Sequence, residues 1–162
     1  MTKFEIGRDV VLLVLGLFGA GLSLFNYIDA RRRDRRSVKV TMSSAIPAFD
    51  NGVLGATFVR VSVTNTGVRP VNIVSLGLQL KNGSRIASLA TDQMPGVNDS
   101  RFPVTLVDGE QASIFMMYKD IGQAVSDRGI TGVEVIPIAE DSTGAFYRGK
   151  SWKIDPTEWS RM

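Results

Sequence analysis

From Val10 to Phe25 the chain carries no charged side chain and a single hydroxyl, Ser23. Asn26 interrupts the run, and Tyr27 and Ile28 complete it. Nineteen helical residues rising 1.5 Å each reach ~28 Å, close to the ~30 Å hydrocarbon core of a bilayer. In lipid every backbone N–H and C=O must bond internally, so a lone segment of this kind is a helix. In water, a helix apolar on all sides needs a large protein around it. The ~120 residues that follow are too few to wrap it. A cleaved leader fits less well, because no small-x-small site follows the run, where Asn26-Tyr27-Ile28-Asp29 stands. An interfacial helix would need a polar face, which is missing. The sequence predicts a transmembrane helix over 10–28, after a short tail of residues 1–9.

Charge sets the orientation. The net +3 arises within residues 1–36, which hold seven basic and four acidic side chains. Residues 37–162 carry twelve of each. Arg31, Arg32, Arg33, Arg35 and Arg36 follow the span, whereas only Lys3 and Arg8 precede it. Basic residues beside a span stay in the cytoplasm. The expectation is an inner (plasma) membrane protein with its C-terminal part cytoplasmic and an Arg-rich linker at 29–36. The same arginines can rest on anionic headgroups, at ~1 kcal/mol each. A balanced domain without clustered cations gives no footprint for nucleic acid.

Within the span, Gly16 and Ala20, and Gly19 and Ser23, form small-xxx-small pairs. Such pairs let helix backbones approach closely, so they are the candidate residues for self-association into a homo-oligomer.

Beyond Ser37 the period changes. Val59, Val61 and Val63 alternate with Arg60, Ser62 and Thr64, as in a half-buried strand. Asn65-Thr66-Gly67, Lys81-Asn82-Gly83-Ser84, Asp108-Gly109-Glu110 and Asp141-Ser142-Thr143-Gly144 mark turns. Strands are expected near 38–42, 57–64, 71–80, 85–89, 102–107, 111–118, 133–138 and 145–154, with a loop over 90–101. One helix is expected over 119–128, capped by Asp120 and ended by Gly129. Pro137 argues for an edge or bulge. About seven short strands with regular turns predict a mostly β, antiparallel sandwich over 37–155, a small β-barrel being the alternative. Residues 156–162 read as a tail, with Trp159 folding back or docking elsewhere.

The stretch Val61-Ser62-Val63-Thr64-Asn65-Thr66-Gly67, with Arg69-Pro70-Val71-Asn72-Ile73 after it, resembles the strand–turn–strand of bacterial immunoglobulin-like domains. The whole plan, closing on Tyr147-Arg148-Gly149-Lys150-Ser151-Trp152-Lys153-Ile154, resembles uncharacterised bacterial single-pass membrane proteins with a C-terminal domain of this kind. The resemblance implies a fold and carries over no catalytic residue.

Chemistry is sparse. The chain has no cysteine and no histidine, which removes disulfides, thiolate metal sites and the commonest general base. Asp141-Ser142-Thr143 is turn chemistry before it is a catalytic group. The acidic residues are scattered, with no metal-ligand spacing, and no glycine-rich phosphate loop lies outside the span. The expectation is a non-enzymatic membrane-anchored interaction or scaffold module with no cofactor, whose partners are the bilayer and an unidentified protein. The alternative is a ligand-gated membrane effector.

Overall fold

The computed structural model describes residues 3–33, 36–48, 54–87, 94, 96–130 and 133–162. The chain forms two compact units, Met1–Arg35 and Arg36–Met162.

The first unit is helix α1, Lys3–Arg33. It runs beyond the apolar stretch at both ends, so the first residues of the expected linker are helical. Its segment Leu12–Arg31 is long and apolar enough to cross a membrane, and none of it is buried.

The second unit is two antiparallel sheets. One has the order β1 (Val38–Ala45), β2 (Phe58–Asn65), β6 (Gln111–Met117). The other is built on β3 (Val71–Leu80) beside β7 (Val133–Asp141). β4 (Arg85–Ile86) and β5 (Val104–Leu106) flank β3, while β8 (Phe146–Arg148) and β9 (Trp152–Ile154) flank β7. Both sheets feed one buried cluster: Val59, Val61, Val63, Ile114 and Met116 from the first, and Ile73, Leu76, Leu78, Leu80 and Val135 from the second. No ladder joins the two sheets among the described residues.

In β3 the apolar phase changes from Ile73 to Leu76, Leu78 and Leu80. A register shift against β7 between Ile73 and Ser75 absorbs this, returning both sets to the core. At the hairpin after β3, Gly83 adopts φ +86°, and the Ser84 N–H bonds the Asn82 side chain. The return strand stops at Ile86, and residues 88–89 of the expected strand lie outside the described residues.

Pro137 lies in a central strand, against expectation. Its carbonyl accepts the Gly149 N–H, and a strand residue's C=O and N–H share one side. The missing N–H therefore faces the gap where β8 ends and β9 has not begun, so no ladder bond is lost. This gap is why the expected 145–154 strand is two.

Helix α2, Tyr118–Ser126, starts one residue earlier than expected and is not capped by Asp120. β6 runs straight into it, and the Tyr118 N–H bonds the Thr57 carbonyl. Met117 occupies the cap position and its side chain makes no capping bond, and Asp120 sits in the first turn, where the helix dipole favours an acid. Gly129 follows the helix with φ +66°.

A second short helix, α3 (Pro156–Trp159), replaces the expected tail. The Asp155 side chain caps it by accepting the Thr157 and Glu158 N–H groups, and Pro156 suits its first turn.

Candidate functional site

Three places on the β unit gather polar chemistry. The first is the β7–β8 turn. Asp141 is 2% exposed, and its Oδ1 accepts from Thr143 N at 2.8 Å, Thr143 Oγ1 at 2.6 Å and Ala145 N at 3.0 Å. Its Oδ2 accepts from Tyr147 Oη at 2.9 Å and lies 3.6 Å from Arg36 Nη1. Burial pushes the Asp141 carboxyl up, but the hydrogen bonds from Thr143, Ala145 and Tyr147 outweigh it and hold the group below its ordinary value. Burial raises Tyr147, and the Asp141 carboxylate raises it further, while Arg36 pulls it down. A carboxylate so fully engaged, and held ionised, is a poor general base at neutral pH. The cluster closes a turn and fixes the first described residue of the β unit to it.

The second is a half-open cleft of ≈ 870 Å³ between the end of α2, the β3–β4 hairpin, β9 and α3. Ile130, Ile154 and Pro156 give it apolar wall, and Lys81, Glu134, Lys153 and Asp155 give it charge. Glu134 stands opposite Lys153 in the β7–β9 register, and its Oε1 accepts Ser151 Oγ at 3.4 Å. Asp155 is occupied as the α3 cap. The cleft can hold a small molecule with both apolar and polar parts.

The third is the outer face of the β1–β2–β6 sheet. Arg60, in the middle strand, pairs with Ser43 on one side and Phe115 on the other. The next row is Thr41, Ser62 and Ser113, and the one after it is Lys39, Thr64 and Gln111. Alternation forces this, because Val59, Val61 and Val63 take the core side. The Arg60 guanidinium carbon lies 5.9 Å from the Phe115 ring centroid. Its Nε is buried, with no hydrogen-bond partner among the described residues.

The 90–101 loop is placed in part, since residues 90–93 and 95 lie outside the described residues. Its end runs along β6. The Ser100 N–H bonds the Ser113 carbonyl, Ser100 Oγ accepts the Ser113 N–H at 2.9 Å, and Asp99 Oδ1 accepts the Phe115 N–H at 2.8 Å. Two side chains thus take the place of a neighbouring strand and blunt that edge.

Of the residues singled out from the sequence, Gly16, Gly19, Ala20 and Ser23 fall within ~100° of one face of α1, and all are exposed. A Cβ at Gly16 or Gly19 would meet nothing within 4 Å. Arg31 reaches back to Tyr27 Oη at 3.5 Å. Arg32 and Arg33 complete the helix, Arg35 lies outside the described residues, and Arg36 pairs with Asp141. The arginines are therefore not one cluster of like roles. Neither the cleft nor the Arg60 face was singled out from the sequence, because both exist only once strand register is known.

No protein-family model matches the chain, and no curated protein matches it. Among the described residues, no group of three or more acidic side chains could hold a metal ion.

Proposed function

We propose that the chain is a single-pass membrane protein that holds an immunoglobulin-like β-sandwich at the cytoplasmic face of the inner membrane, as a non-enzymatic interaction module. The observation that carries this is the bare apolar surface of α1. Leu13, Leu17, Phe18 and Phe25 are each more than 60% exposed, along a helix of bilayer length. A surface of that size is stable in lipid and a liability in water. The arginines after it favour the cytoplasmic side for the β unit. Two antiparallel sheets over one core support the sandwich, and the spent state of Asp141 supports a binding role rather than catalysis.

Protease added outside intact cells tests the topology. A C-terminal tag is expected to survive until the cells are permeabilised, and digestion in intact cells sinks the reading. Affinity capture of the full-length chain in mild detergent tests the module. A stoichiometric protein partner is expected, and recovery of the chain alone counts against it.

The cleft favours a second reading, in which the β unit binds a small signal and drives assembly of spans through Gly16, Gly19, Ala20 and Ser23. Under it, Gly16→Leu with Gly19→Leu abolishes span association in a membrane dimerisation assay. Unchanged association rejects it.

A further inference from the structure

The cleft beside α3 carries charges that stand apart. Leu80 pairs with Val135, and Val135 with Trp152, so the next row at that end of the sheet is Lys81, Glu134 and Lys153. All three line the cleft. Glu134 lies between two lysines, yet no ion pair joins it to either among the described residues. Its Oε1 accepts Ser151 Oγ at 3.4 Å. The other acid of the cleft, Asp155, directs its Oδ1 to the Thr157 and Glu158 N–H groups of the α3 cap. An anion placed here would leave Glu134 unmatched, and a cation would leave both lysines so. A zwitterion with an apolar body answers the acid, the lysines and the apolar wall of Ile130, Ile154 and Pro156 together.

The free edge of β9 narrows the class. The Pro137 carbonyl accepts the Gly149 N–H, so Pro137, Val135 and Val133 turn their backbone groups toward β8 and β9. The pairs Val135–Trp152 and Val133–Ile154 therefore exchange the ladder bonds. Lys153, between them, turns its N–H and C=O the other way, where neither a strand nor a hydrogen-bond partner lies among the described residues. An open strand edge is a template for the main chain of an extended segment. The volume of ≈ 870 Å³ suits a ligand of a few residues rather than one amino acid.

We propose that this cleft binds a short apolar peptide with free termini, extended beside β9. The Lys153 backbone pairs with its main chain, Glu134 takes its ammonium, and the Lys81 and Lys153 ammonium groups take its carboxylate. Ile130, Ile154 and Pro156 hold its side chains. This deepens the second reading above, and takes from it only that the cleft is a ligand site.

The full-length chain, ¹⁵N-labelled in zwitterionic nanodiscs, is titrated with the dipeptide Leu-Leu. Saturable shifts of the Lys153 and Ile130 amide signals are expected. N-acetyl-Leu-Leu and Leu-Leu-amide each lack one terminal charge, and each is expected to bind about tenfold more weakly. Glu134→Gln, at a partly exposed position, is expected to weaken Leu-Leu about tenfold and to leave N-acetyl-Leu-Leu unchanged. Absence of saturable shifts with Leu-Leu overturns the proposal. So do blocked peptides that bind as tightly as Leu-Leu, or a Glu134→Gln chain that loses both peptides equally. Such a failure rejects the ligand without touching span association, which Gly16→Leu with Gly19→Leu reads separately.

Discussion

Trp159 meets Tyr118 edge to face, with ring centroids 4.3 Å apart and planes at 61°. The pair joins the last helix to the first turn of α2, and both rings belong to the main core cluster. Tyr118 also carries the contact onward, because its hydroxyl bonds Ser44 Oγ at 2.5 Å on β1. The C-terminal residues are thus part of the fold's closure. Trp159→Ala is expected to lower unfolding stability by about 3–5 kcal/mol, as for other large-to-small core changes. Denaturant midpoints read by near-UV circular dichroism check this, and a loss below ~1 kcal/mol would show that α3 merely rests on the surface.

At Gly122 the backbone of the α3 segment lies directly against α2. A Cβ there would meet Ser160 N at 2.5 Å and Trp159 C at 2.8 Å. Alanine is the better helix former by about 1 kcal/mol, so propensity alone predicts a gain. Overpacking against backbone costs about 1–3 kcal/mol and acts the other way. Gly122→Ala is expected to be net destabilising and to raise the exposure of Trp159, seen as a red shift of its fluorescence. Greater stability with unchanged fluorescence would mean that α3 is free to move aside.

Much of the fold was legible because turns carry their own chemistry. Asn82-Gly83 and Asp108-Gly109 announce hairpins through the left-handed glycine, and β3 has the predicted limits, Val71–Leu80. What was hidden depends on partners. A four-residue helix such as α3 has no periodicity to detect. Pro137 in a central strand is allowed only by a gap in the strand beside it. Arg60 reads as an ordinary outward residue until register sets hydroxyls and Phe115 around it. The arginines after the apolar run were legible as charge, but the bond between Arg36 and Asp141 crosses more than a hundred residues of sequence.

Gly149 sits at that gap, and a Cβ there would collide with the Val40 carbonyl oxygen and approach Pro137 Cγ to 2.7 Å. It is where β1 of one sheet comes against the β8–β9 break of the other. Gly149→Ala should force the sheets apart locally and cost about 1–3 kcal/mol. Hydrogen exchange at Val40 and Trp152 is expected to rise by tenfold or more, tracking that loss. Unaltered exchange would show that the crossing has room the geometry does not reveal.

Asn65 is wholly buried, yet its amide is well supplied. Nδ2 donates to the Arg69 and Leu106 carbonyls at 2.8 and 3.0 Å, and Oδ1 accepts the Gly67 N–H at 2.9 Å. The residue ties the turn after β2 to β5. Asn65→Ala would strand two buried backbone groups, the Leu106 carbonyl and the Gly67 N–H, at about 1–3 kcal/mol each before relaxation, and the part-buried Arg69 carbonyl besides. A loss of at least ~3 kcal/mol is expected, and Asn65→Asp should also destabilise, because a carboxylate cannot donate to the two carbonyls. Wild-type stability in Asn65→Asp would mean that water replaces those bonds.

The Asp141–Tyr147 pair predicts two separate pH limbs. Asp141 is held below its ordinary value in the fold, so its contribution is complete above the unfolded pKa of about 4 and is lost as pH falls through the lower folded value. Tyr147 is raised, so its contribution is complete below the unfolded pKa of about 10 and is lost as pH climbs through the higher folded value. Asp141→Asn is therefore expected to cost stability at pH 7 but to converge on wild type in strong acid. Tyr147→Phe should shrink the acid limb without removing it, because Thr143 and Ala145 still bond the carboxylate, and flatten the alkaline one. Urea midpoints from pH 2 to pH 11 separate the two, because each variant must alter one limb most. If Asp141→Asn runs parallel to wild type at every pH, the carboxylate's charge contributes nothing and the turn stands on its backbone bonds alone.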